Sequence, residues 1–321
     1  MRKIVFLDRN SLAPSTQIRP LQQAVDWVDY PHTAPHQVAE RSQDAEILVL
    51  SKTPITAETL AACPQLRHIA IAATGFNIVD VDACSRHGVG VSNVTAYAGT
   101  SISEHVLGMI FSLRRELIQY RQQVINNRWQ DSPAFCLFDK PLFDLKGATL
   151  GVIGLGELGT ATAKLAHAVG MQVIFTARRE IQSDFAKQVS LDELLSTADV
   201  VSVHCSLNSS THNLIDTPQL EQMKKSAILI NTARGGIVNE QALAAAIEGE
   251  EIAGTGVDVL AEEPPKNDSL LLSIANRNNV IITPHMAWTS QQAMQLLADK
   301  LADNIDAHLA GKPINLVNQP Q

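Results

Sequence analysis

Short runs of apolar residues alternate with longer segments of helical periodicity along most of the chain. The runs are rich in Val and Ile and nearly unbroken, which is typical of parallel strands covered on both faces. In the first part of the chain, strands are predicted at Lys3–Asp8, Glu46–Leu50, His68–Ala72 and Val89–Asn93. In the second part, strands are predicted at Thr149–Ile153, Gln172–Thr176, Val200–His204, Ile228–Thr232, Gly254–Val259 and Val280–Thr283. The helical segments between them indicate βαβ units, so we predict an α/β fold with two doubly wound parallel sheets of the Rossmann or flavodoxin-like type.

The segment between the two series of strands marks a domain boundary. Ser101-Ile-Ser-Glu104 has the spacing of a capping box and predicts the start of a long helix that ends near Tyr120. Residues 126–146 are rich in Asn, Asp, Pro and aromatic residues and show no clear period. A final helix is predicted over Ser290–Ala310, because Gly311 follows it. We therefore predict a cofactor domain inserted into a substrate domain, formed by residues 99–289 and by residues 1–98 with 290–321 respectively.

Composition and charge restrict the class of protein and its partners. The 321 residues suffice for two domains, and 45% hydrophobic with 18% charged residues is a globular balance. With a net charge of -8 and no long run of Lys or Arg, we expect no binding to nucleic acid or to a membrane surface. The apolar run at the amino end is too short for a signal peptide. The 4 cysteines are scattered, so we expect free thiols, no metal site and a cytoplasmic location.

A glycine-rich turn lies between a predicted strand and a predicted helix. Gly154, Gly156 and Gly159 match G-x-G-x-x-G, a weak pattern alone that the flanking strand and helix strengthen. The glycines permit a tight turn, close approach of the backbone to a pyrophosphate, and close helix packing. The helix N-terminus, beginning at Glu157 and Leu158, would present backbone N–H groups to the phosphates. We predict a dinucleotide cofactor here, and a strand–helix turn without a ligand is the alternative.

The residues after the second strand of the cofactor domain bear on the choice of nicotinamide cofactor. This position normally holds an Asp or Glu that binds the ribose hydroxyls, but the sequence here continues as Ala177, Arg178 and Arg179. Arg forms charge-assisted hydrogen bonds to a 2′-phosphate, which an acidic residue would repel. We predict NADP(H) as the preferred cofactor, with NAD(H) also accepted. The alternative is that both arginines lie on a solvated loop.

Polar residues follow three predicted strands in the second half of the chain. Arg234 follows one strand, Glu262 and Glu263 follow the next, and His285 follows another. Side chains at the carboxyl ends of parallel strands lie in the crevice where such sheets bind ligands. The sequence therefore predicts that these residues share one site.

These segments and the glycine turn together resemble the D-isomer-specific 2-hydroxyacid dehydrogenase family. The likeness runs from about Ala72 to Ala287, and the order and spacing of its motifs are specific. Within the family, His285-Met-Ala-Trp288 and the stretch from Arg128 to Pro141 are similar to the glycerate dehydrogenase, or hydroxypyruvate reductase, branch. The resemblance implies a nicotinamide-dependent oxidoreductase that acts on small 2-keto and 2-hydroxy acids.

The chemistry of keto acid reduction accounts for the three predicted catalytic residues. The reaction needs a hydride at carbon and a proton at oxygen, and His285 suits the proton because an imidazole titrates near neutral pH. A nearby carboxylate stabilises imidazolium and fixes the tautomer, a role that alignment on Glu-Pro gives to Glu263 in preference to Glu262. Arg234 can fork onto the substrate carboxylate and polarise the keto oxygen.

The resemblance also implies other contacts with the cofactor and the substrate. Cofactor contacts are expected from Thr100, Cys205, Thr232, Ala233 and Asp258, and substrate contacts from Thr74, Gly75, Phe76 and Trp288. Backbone N–H groups of the Thr74–Phe76 loop would hold the substrate carboxylate, unless the loop is an ordinary turn. Asp258 would bind the nicotinamide carboxamide, or stabilise a local turn. Trp288 either lines the substrate pocket or packs against another subunit.

The leading hypothesis is reduction of hydroxypyruvate to D-glycerate, with glyoxylate as a second substrate. One alternative is another 2-keto acid, such as a phenyl- or branched-chain pyruvate. A second alternative is a nucleotide-sensing, corepressor-like binding protein on the same scaffold. The family resemblance implies a homodimer, and Trp129 and Phe135 are expected in an interface or a core.

Overall fold

The computed structural model describes residues 1–320 and divides the chain into two compact units. One unit consists of Met1–Tyr97 and Thr289–Gln321, and the other is Ala98–Trp288. At both junctions the predicted domain boundary lies one residue further along the chain. Each unit is built on its own parallel sheet.

The first unit contains a five-stranded sheet in which every neighbouring pair is parallel. Its strands are β1 (Arg2–Phe6), β2 (Val25–Asp29), β3 (Ile47–Leu50), β4 (His68–Ile71) and β5 (Gly90–Ser92), in the order β2-β1-β3-β4-β5. This is the flavodoxin-like order. The sequence analysis missed β2, because its Val-Asp-Trp-Val-Asp alternation belongs to an edge strand that is only partly buried, unlike the apolar runs of the central strands.

The second unit contains a seven-stranded sheet, also parallel throughout. Its strands are β6 (Thr149–Ile153), β7 (Gln172–Thr176), β8 (Lys187–Gln188), β9 (Val200–Val203), β10 (Ile228–Asn231), β11 (Gly254–Val257) and β12 (Val280–Ile282). The order β12-β11-β10-β9-β6-β7-β8 is that of a Rossmann sheet with one added strand. Strands β7 and β8 lie on one side of β6, and β9 to β12 lie on the other, so the order of the strands switches at β6 and β9. The predicted fold class is confirmed. The two-residue β8 was missed because it is too short to show a period.

The helices connect the strands of each sheet and close the chain at its carboxyl end. In chain order they are α1 (Val38–Ser42), α2 (Ala57–Ala61), α3 (Val81–Arg86), α4 (Gly99–Arg114), α5 (Leu117–Ile125), α6 (Glu157–Ala168), α7 (Leu191–Thr197), α8 (Thr217–Gln222), α9 (Glu240–Glu248), α10 (Leu270–Ser273) and α11 (Gln291–Leu309). Two short 3₁₀ turns lie at Arg9–Ser11 and Pro35–Gln37.

The predicted long helix differs from the structure at both ends. Helix α4 begins at Gly99, and the Ser101 hydroxyl is not a cap but donates to the backbone oxygen of Ala287 at 2.7 Å. The helix ends at Arg114, and Glu116 adopts a left-handed φ of 51° before α5 begins. The capping box and the single helix to Tyr120 were therefore wrong predictions. At the other end of the chain, the start of α11 was predicted correctly, because the Ser290 hydroxyl accepts from the backbone N–H of Ala293.

Each unit has its own apolar core, which fixes the strand ends that carry polar side chains. The core of the second unit gathers residues of β9 and β10 with α7, α8 and α9, including Val201, Leu229 and Leu243.

None of the helices within residues 1–320 combines the length and the hydropathy that crossing a bilayer requires. Over the same residues, no group of three or more His, Cys, Asp and Glu side chains has metal-binding geometry.

Candidate active site

The glycine turn follows β6, and each of its glycines has a separate structural reason. Gly154 has a φ of 97°, and a side chain there would also meet the backbone of Cys205. A side chain at Gly159 would collide with the backbone oxygen of Gly154, so this glycine permits close contact between α6 and the turn. Within residues 1–320, no protein atom other than those of its two chain neighbours lies within 4 Å of the position that a Cβ of residue 156 would take. No packing contact accounts for Gly156, whereas close approach of a ligand to the backbone does.

The surroundings of this turn fit a dinucleotide. The 12-residue α6 begins directly after Gly156, so the turn ends at the positive end of a helix. The hydroxyl of Thr232, at the end of β10, is buried and has no hydrogen-bond partner within residues 1–320, so it is available to a bound group. Burial lowers the pKa of His204 to about 4, and its ring shares a 2.8 Å hydrogen bond with Ser202. His204 is therefore neutral at pH 7 behind the turn.

Arg178 and Arg179 follow β7 and are exposed. Neither guanidinium forms a hydrogen bond or an ion pair with another residue of the described chain 1–320. The backbone oxygens of Ala177 and Arg179 accept from the Gln188 side chain at 3.2 and 3.0 Å, which fixes the loop. Burial raises the pKa of the neighbouring Cys205 thiol, while the positive charge of Arg178 opposes the shift. Cys205 packs against the core, and its thiol is protonated at neutral pH.

His285 and Glu263 form a short contact in the candidate site. His285 Nδ1 lies 2.6 Å from Glu263 Oε2, and the other carboxylate oxygen accepts from the backbone N–H of Leu260 at 2.9 Å. Both side chains remain partly open to solvent, with exposed fractions of 23% and 31%. Glu262, the competing candidate, pairs instead with Lys266 at 2.7 Å. The structure thus brings Glu263, and not Glu262, to the histidine.

Arg234 lies on the loop that follows β10. One of its nitrogens, Nη1, donates to the backbone oxygen of Ala233 at 2.7 Å, and the side chain is otherwise exposed. The loop is closed by Asn231, whose amide donates to the backbone oxygen of Arg234 and accepts from the N–H of Ala233. A side chain at Gly235 would collide with the backbone of Leu260. This close approach sets the Arg234 loop against the loop that leads to Glu263.

Asp258, at the end of β11, is buried and holds the turn that carries His285. Its carboxylate oxygens accept from the backbone N–H groups of Met286 and Ala287, each at 2.9 Å. The Thr283 hydroxyl also donates to this carboxylate. The structure therefore gives Asp258 the local-turn role that the sequence left open. Its contact with a nicotinamide carboxamide stays a prediction.

Three further residues of this unit were predicted to contact the cofactor or the substrate. Thr100 is exposed in the first turn of α4. Ala233, which precedes Arg234 in the sequence, is half-buried. Trp288, which follows the His285 turn in the sequence, is also half-buried. Contacts of all three with cofactor or substrate stay predictions.

The predicted substrate loop Thr74–Phe76 belongs to the other unit. Thr74 is fixed there by its hydroxyl, which donates to the backbone oxygen of Val94 at 2.9 Å. The Asn93 amide in turn donates to the backbone oxygen of Thr74 at 2.7 Å. The backbone N–H groups of Gly75 and Phe76 donate to no protein acceptor within residues 1–320, and the Phe76 ring is 41% exposed. The anion-binding role of this loop stays a prediction.

Sequence reasoning missed three residues that shape the site. Gly235 was passed over because adjacent glycines are common in loops. Ser101 was interpreted as a cap and instead bonds to Ala287. His105 on α4 lies 3.1 Å from the Thr283 hydroxyl, and nothing in its own segment distinguished it from a histidine on an ordinary helix face.

Comparisons with known proteins show the family of this chain. The model of the family described as D-isomer specific 2-hydroxyacid dehydrogenase, NAD binding domain, matches residues 107–287. A glycerate dehydrogenase of Methylorubrum extorquens is 44% identical over 317 residues, covering 98% of this chain and 99% of that protein. A hydroxypyruvate reductase of Blautia hydrogenotrophica is 33% identical, covering 99% of this chain and 100% of that protein.

Among solved structures, a D-lactate dehydrogenase from Aquifex aeolicus complexed with NAD and lactic acid is similar throughout. It superposes with a TM-score of 0.85 at 27% identity and covers 100% of both chains. The glycine turn, the matched nicotinamide-binding region and the relatives together identify an oxidoreductase with a nicotinamide cofactor. This chain belongs to the D-isomer-specific 2-hydroxyacid dehydrogenase family.

Proposed function

We propose that this chain reduces hydroxypyruvate to D-glycerate, and glyoxylate to glycolate, with NADPH as the preferred hydride donor. The observation that carries the proposal is the 2.6 Å contact between His285 Nδ1 and Glu263 Oε2. The names of the relatives, a glycerate dehydrogenase and a hydroxypyruvate reductase, support the choice of substrate.

The His285–Glu263 pair determines which ring nitrogen faces the substrate. An ionised carboxylate is an acceptor only, so Nδ1 carries its proton toward Glu263 and Nε2 is left for the substrate oxygen. In the protonated ring Nε2 donates, and the carboxylate stabilises the positive charge. When bound, the reduced nicotinamide supplies the hydride to the keto carbon. His285 Nε2 gives its proton to the keto oxygen, so that the product is the alcohol and not the alkoxide.

Arg234 binds and polarises the substrate. A guanidinium has five N–H groups, and the described chain engages Arg234 only through Nη1. The remaining donors suit a bidentate contact with the substrate carboxylate and a hydrogen bond to the keto oxygen. The hydrogen bond to the keto oxygen strengthens as negative charge develops on that oxygen, which lowers the barrier to hydride transfer.

The preference for NADPH rests on Arg178 and Arg179. Two exposed guanidinium groups, which have no partner among residues 1–320, follow β7, where a carboxylate would otherwise bind the ribose hydroxyls. A 2′-phosphate would give them a doubly charged acceptor. Replacing both by Ala is expected to reduce kcat/KM with NADPH about tenfold or more and to leave kcat/KM with NADH nearly unchanged.

The test of the function is a panel of keto acids assayed with each cofactor. Hydroxypyruvate, glyoxylate, pyruvate, phenylpyruvate and a branched-chain 2-keto acid are each assayed with NADPH and with NADH. We expect the highest kcat/KM for hydroxypyruvate with NADPH, and glyoxylate next. A higher value for phenylpyruvate or for the branched-chain acid contradicts the substrate assignment, and a clear preference for NADH contradicts the cofactor assignment.

We propose a homodimer formed through the second unit. Helix α5 has no buried residue, and its apolar residues Leu117 and Ile125 are each 53% exposed. Downstream, Phe135 and Phe138 are 89% and 83% exposed, so the core alternative for Phe135 was wrong. Apolar exposure on this scale indicates a protein interface. Sedimentation equilibrium should give twice the chain mass, and a monomer at micromolar concentration contradicts the proposal.

A further inference from the structure

The turn that carries His285 adopts a backbone conformation that requires support. His285 has a φ of 53°, a left-handed conformation that is unfavourable for a residue with a Cβ. The backbone N–H of His285 donates to the backbone oxygen of Asp258, and those of Met286 and Ala287 donate to the Asp258 carboxylate. From α4, Ser101 donates to the backbone oxygen of Ala287. The orientation of the catalytic ring therefore depends on the Asp258 carboxylate being fixed.

The Asp258 carboxylate is held by a chain of hydrogen bonds that begins at His105. The Thr283 hydroxyl has one proton, and its short contact with the carboxylate uses that proton, because an ionised carboxylate only accepts. Thr283 Oγ1 must therefore accept from His105 Nε2, which lies 3.1 Å away and carries the ring proton. His105 Nε2 is also 3.8 Å from Asp258 Oδ1. Donors and acceptors thus run in one direction, from His105 through Thr283 to Asp258, and such chains strengthen their members.

We propose that His105 is a positioning residue for the proton donor His285. Its N–H fixes the Thr283 hydroxyl toward Asp258, and the oriented carboxylate then holds the backbone of the His285 turn. The inference rests on the proposed function, because it assumes that His285 gives the proton. His105 itself touches neither His285 nor Glu263 in any hydrogen bond of the described chain 1–320.

A matched pair of variants separates this role from simple packing. His105→Leu leaves a side chain of similar bulk on α4 but removes the Nε2–H donor, whereas His105→Gln keeps an N–H near the position of Nε2. We expect His105→Leu to lower kcat for hydroxypyruvate about tenfold with little change in KM or in the Kd for NADPH. His105→Gln should restore kcat to within about threefold of the wild-type value. Each kcat is calculated per cofactor-binding site, so that a smaller fraction of folded protein does not lower the measured value.

The matched control is His167→Leu, at the exposed end of α6. This variant should leave kcat unchanged. Wild-type kcat in His105→Leu overturns the proposal, and so does a loss that His105→Gln fails to restore.

A second experiment asks whether His105 acts through His285. In a His285→Ala background the ring to be positioned is gone, so adding His105→Leu should change the residual kcat less than about twofold. A further loss as large as that in the wild-type background shows that His105 acts independently and overturns the proposal. If His285→Ala alone turns over at the wild-type rate, the proposed function fails instead, and the two failures are distinguished by these single variants.

The link through Thr283 gives an independent measurement. Thr283→Ser keeps the hydroxyl and should retain most of kcat, whereas Thr283→Val removes both hydrogen bonds and should lower kcat at least as much as His105→Leu. In the Thr283→Val background, adding His105→Leu should have little further effect. Additive losses from the two substitutions contradict the proposed order of the chain.

Discussion

At the scale of single residues, the site depends on one short contact and on the backbone that presents it. His285 Nδ1 lies 2.6 Å from Glu263 Oε2, with the backbone of His285 in a left-handed conformation, and Arg234 retains guanidinium donors that no group within residues 1–320 accepts. An acid–base pair and a guanidinium on neighbouring loops match the requirements of keto acid reduction, namely a proton and a carboxylate anchor.

Replacing His285 tests the proton transfer. His285→Ala should lower kcat for hydroxypyruvate by about 10²- to 10⁴-fold, because positioned proton transfer contributes that much, and should leave the Kd for NADPH nearly unchanged. Glu263→Gln keeps a hydrogen-bond acceptor but loses the charge, so its loss should be smaller. The measurements are steady-state rates and cofactor fluorescence titration, with His167→Ala as the control. Normal turnover in His285→Ala would falsify the assignment.

Replacing Arg234 tests substrate binding. Arg234→Ala should raise KM for hydroxypyruvate and also lower kcat, each by about tenfold or more, because charge-assisted hydrogen bonds contribute about 1.5–3 kcal/mol. Arg234→Lys should fall between, since it keeps the charge but loses the fork. The exposed Arg277 offers a control, Arg277→Ala, which should behave as wild type. An unchanged KM in Arg234→Ala is incompatible with the proposed role.

The sequence could predict which residues form the site, but not how each is held. Arg234, Glu263 and His285 follow strands in an order that is specific, so their meeting was foreseeable. The hydrogen bonds from His105 and Ser101 join α4 to a turn almost two hundred positions later, and no local pattern encodes such a contact. Likewise, a left-handed φ at His285 follows from tertiary hydrogen bonds and not from its own preference.

At the scale of elements, the β6–α6 turn separates glycines required by the fold from one available to a ligand. Gly154 and Gly159 are required by φ and by packing, whereas Gly156 lies in open space. The sequence pattern predicted the strand before this turn with the bounds that the structure shows, Thr149–Ile153. It failed at β2, whose alternating pattern is that of an edge strand, and at α4, where a serine spacing imitates a cap.

Replacing Gly156 tests whether the open space belongs to a ligand. Gly156→Ala adds a methyl group that meets no other side chain or backbone segment within residues 1–320, so Tm should change by no more than a few degrees. The Kd for NADPH should nevertheless rise about tenfold or more, because the methyl group would occupy the path predicted for the pyrophosphate. Gly108→Ala, on α4 and equally open, is the control and should leave Kd unchanged. Wild-type affinity in Gly156→Ala would rule out this turn as the phosphate site.

At the scale of the whole molecule, each unit has a parallel sheet and an apolar core of its own. The first unit also buries a histidine pair that couples its stability to pH. His68 on β4 is fully buried, shares a 2.8 Å hydrogen bond with Ser92, and stacks on His308 at 4.3 Å between ring centroids. Burial, with a smaller contribution from the charge of His308, lowers the pKa of His68 from 6.5 to about 3.

The folded first unit should therefore lose stability in acid. The unfolded chain takes up the His68 proton below pH 6.5 while the folded chain does not until about pH 3, so stability is full above 6.5 and falls as the pH drops through that interval. One such histidine gives a slope of up to about 1.4 kcal/mol per pH unit. Urea unfolding of His68→Gln should show a correspondingly smaller slope, whereas the exposed His36→Gln should keep the wild-type slope. Equal slopes of unfolding free energy against pH in the wild type and both variants would show that His68 does not cause the pH dependence.

The most direct measurement of the central claim is the product formed from hydroxypyruvate by the purified chain. Incubation with NADPH or NADH is followed by chiral chromatography of the glycerate. We expect D-glycerate alone, in an amount equal to the reduced cofactor consumed, and no product above background from His285→Ala. Formation of L-glycerate, or no consumption of either cofactor with hydroxypyruvate, would contradict the account.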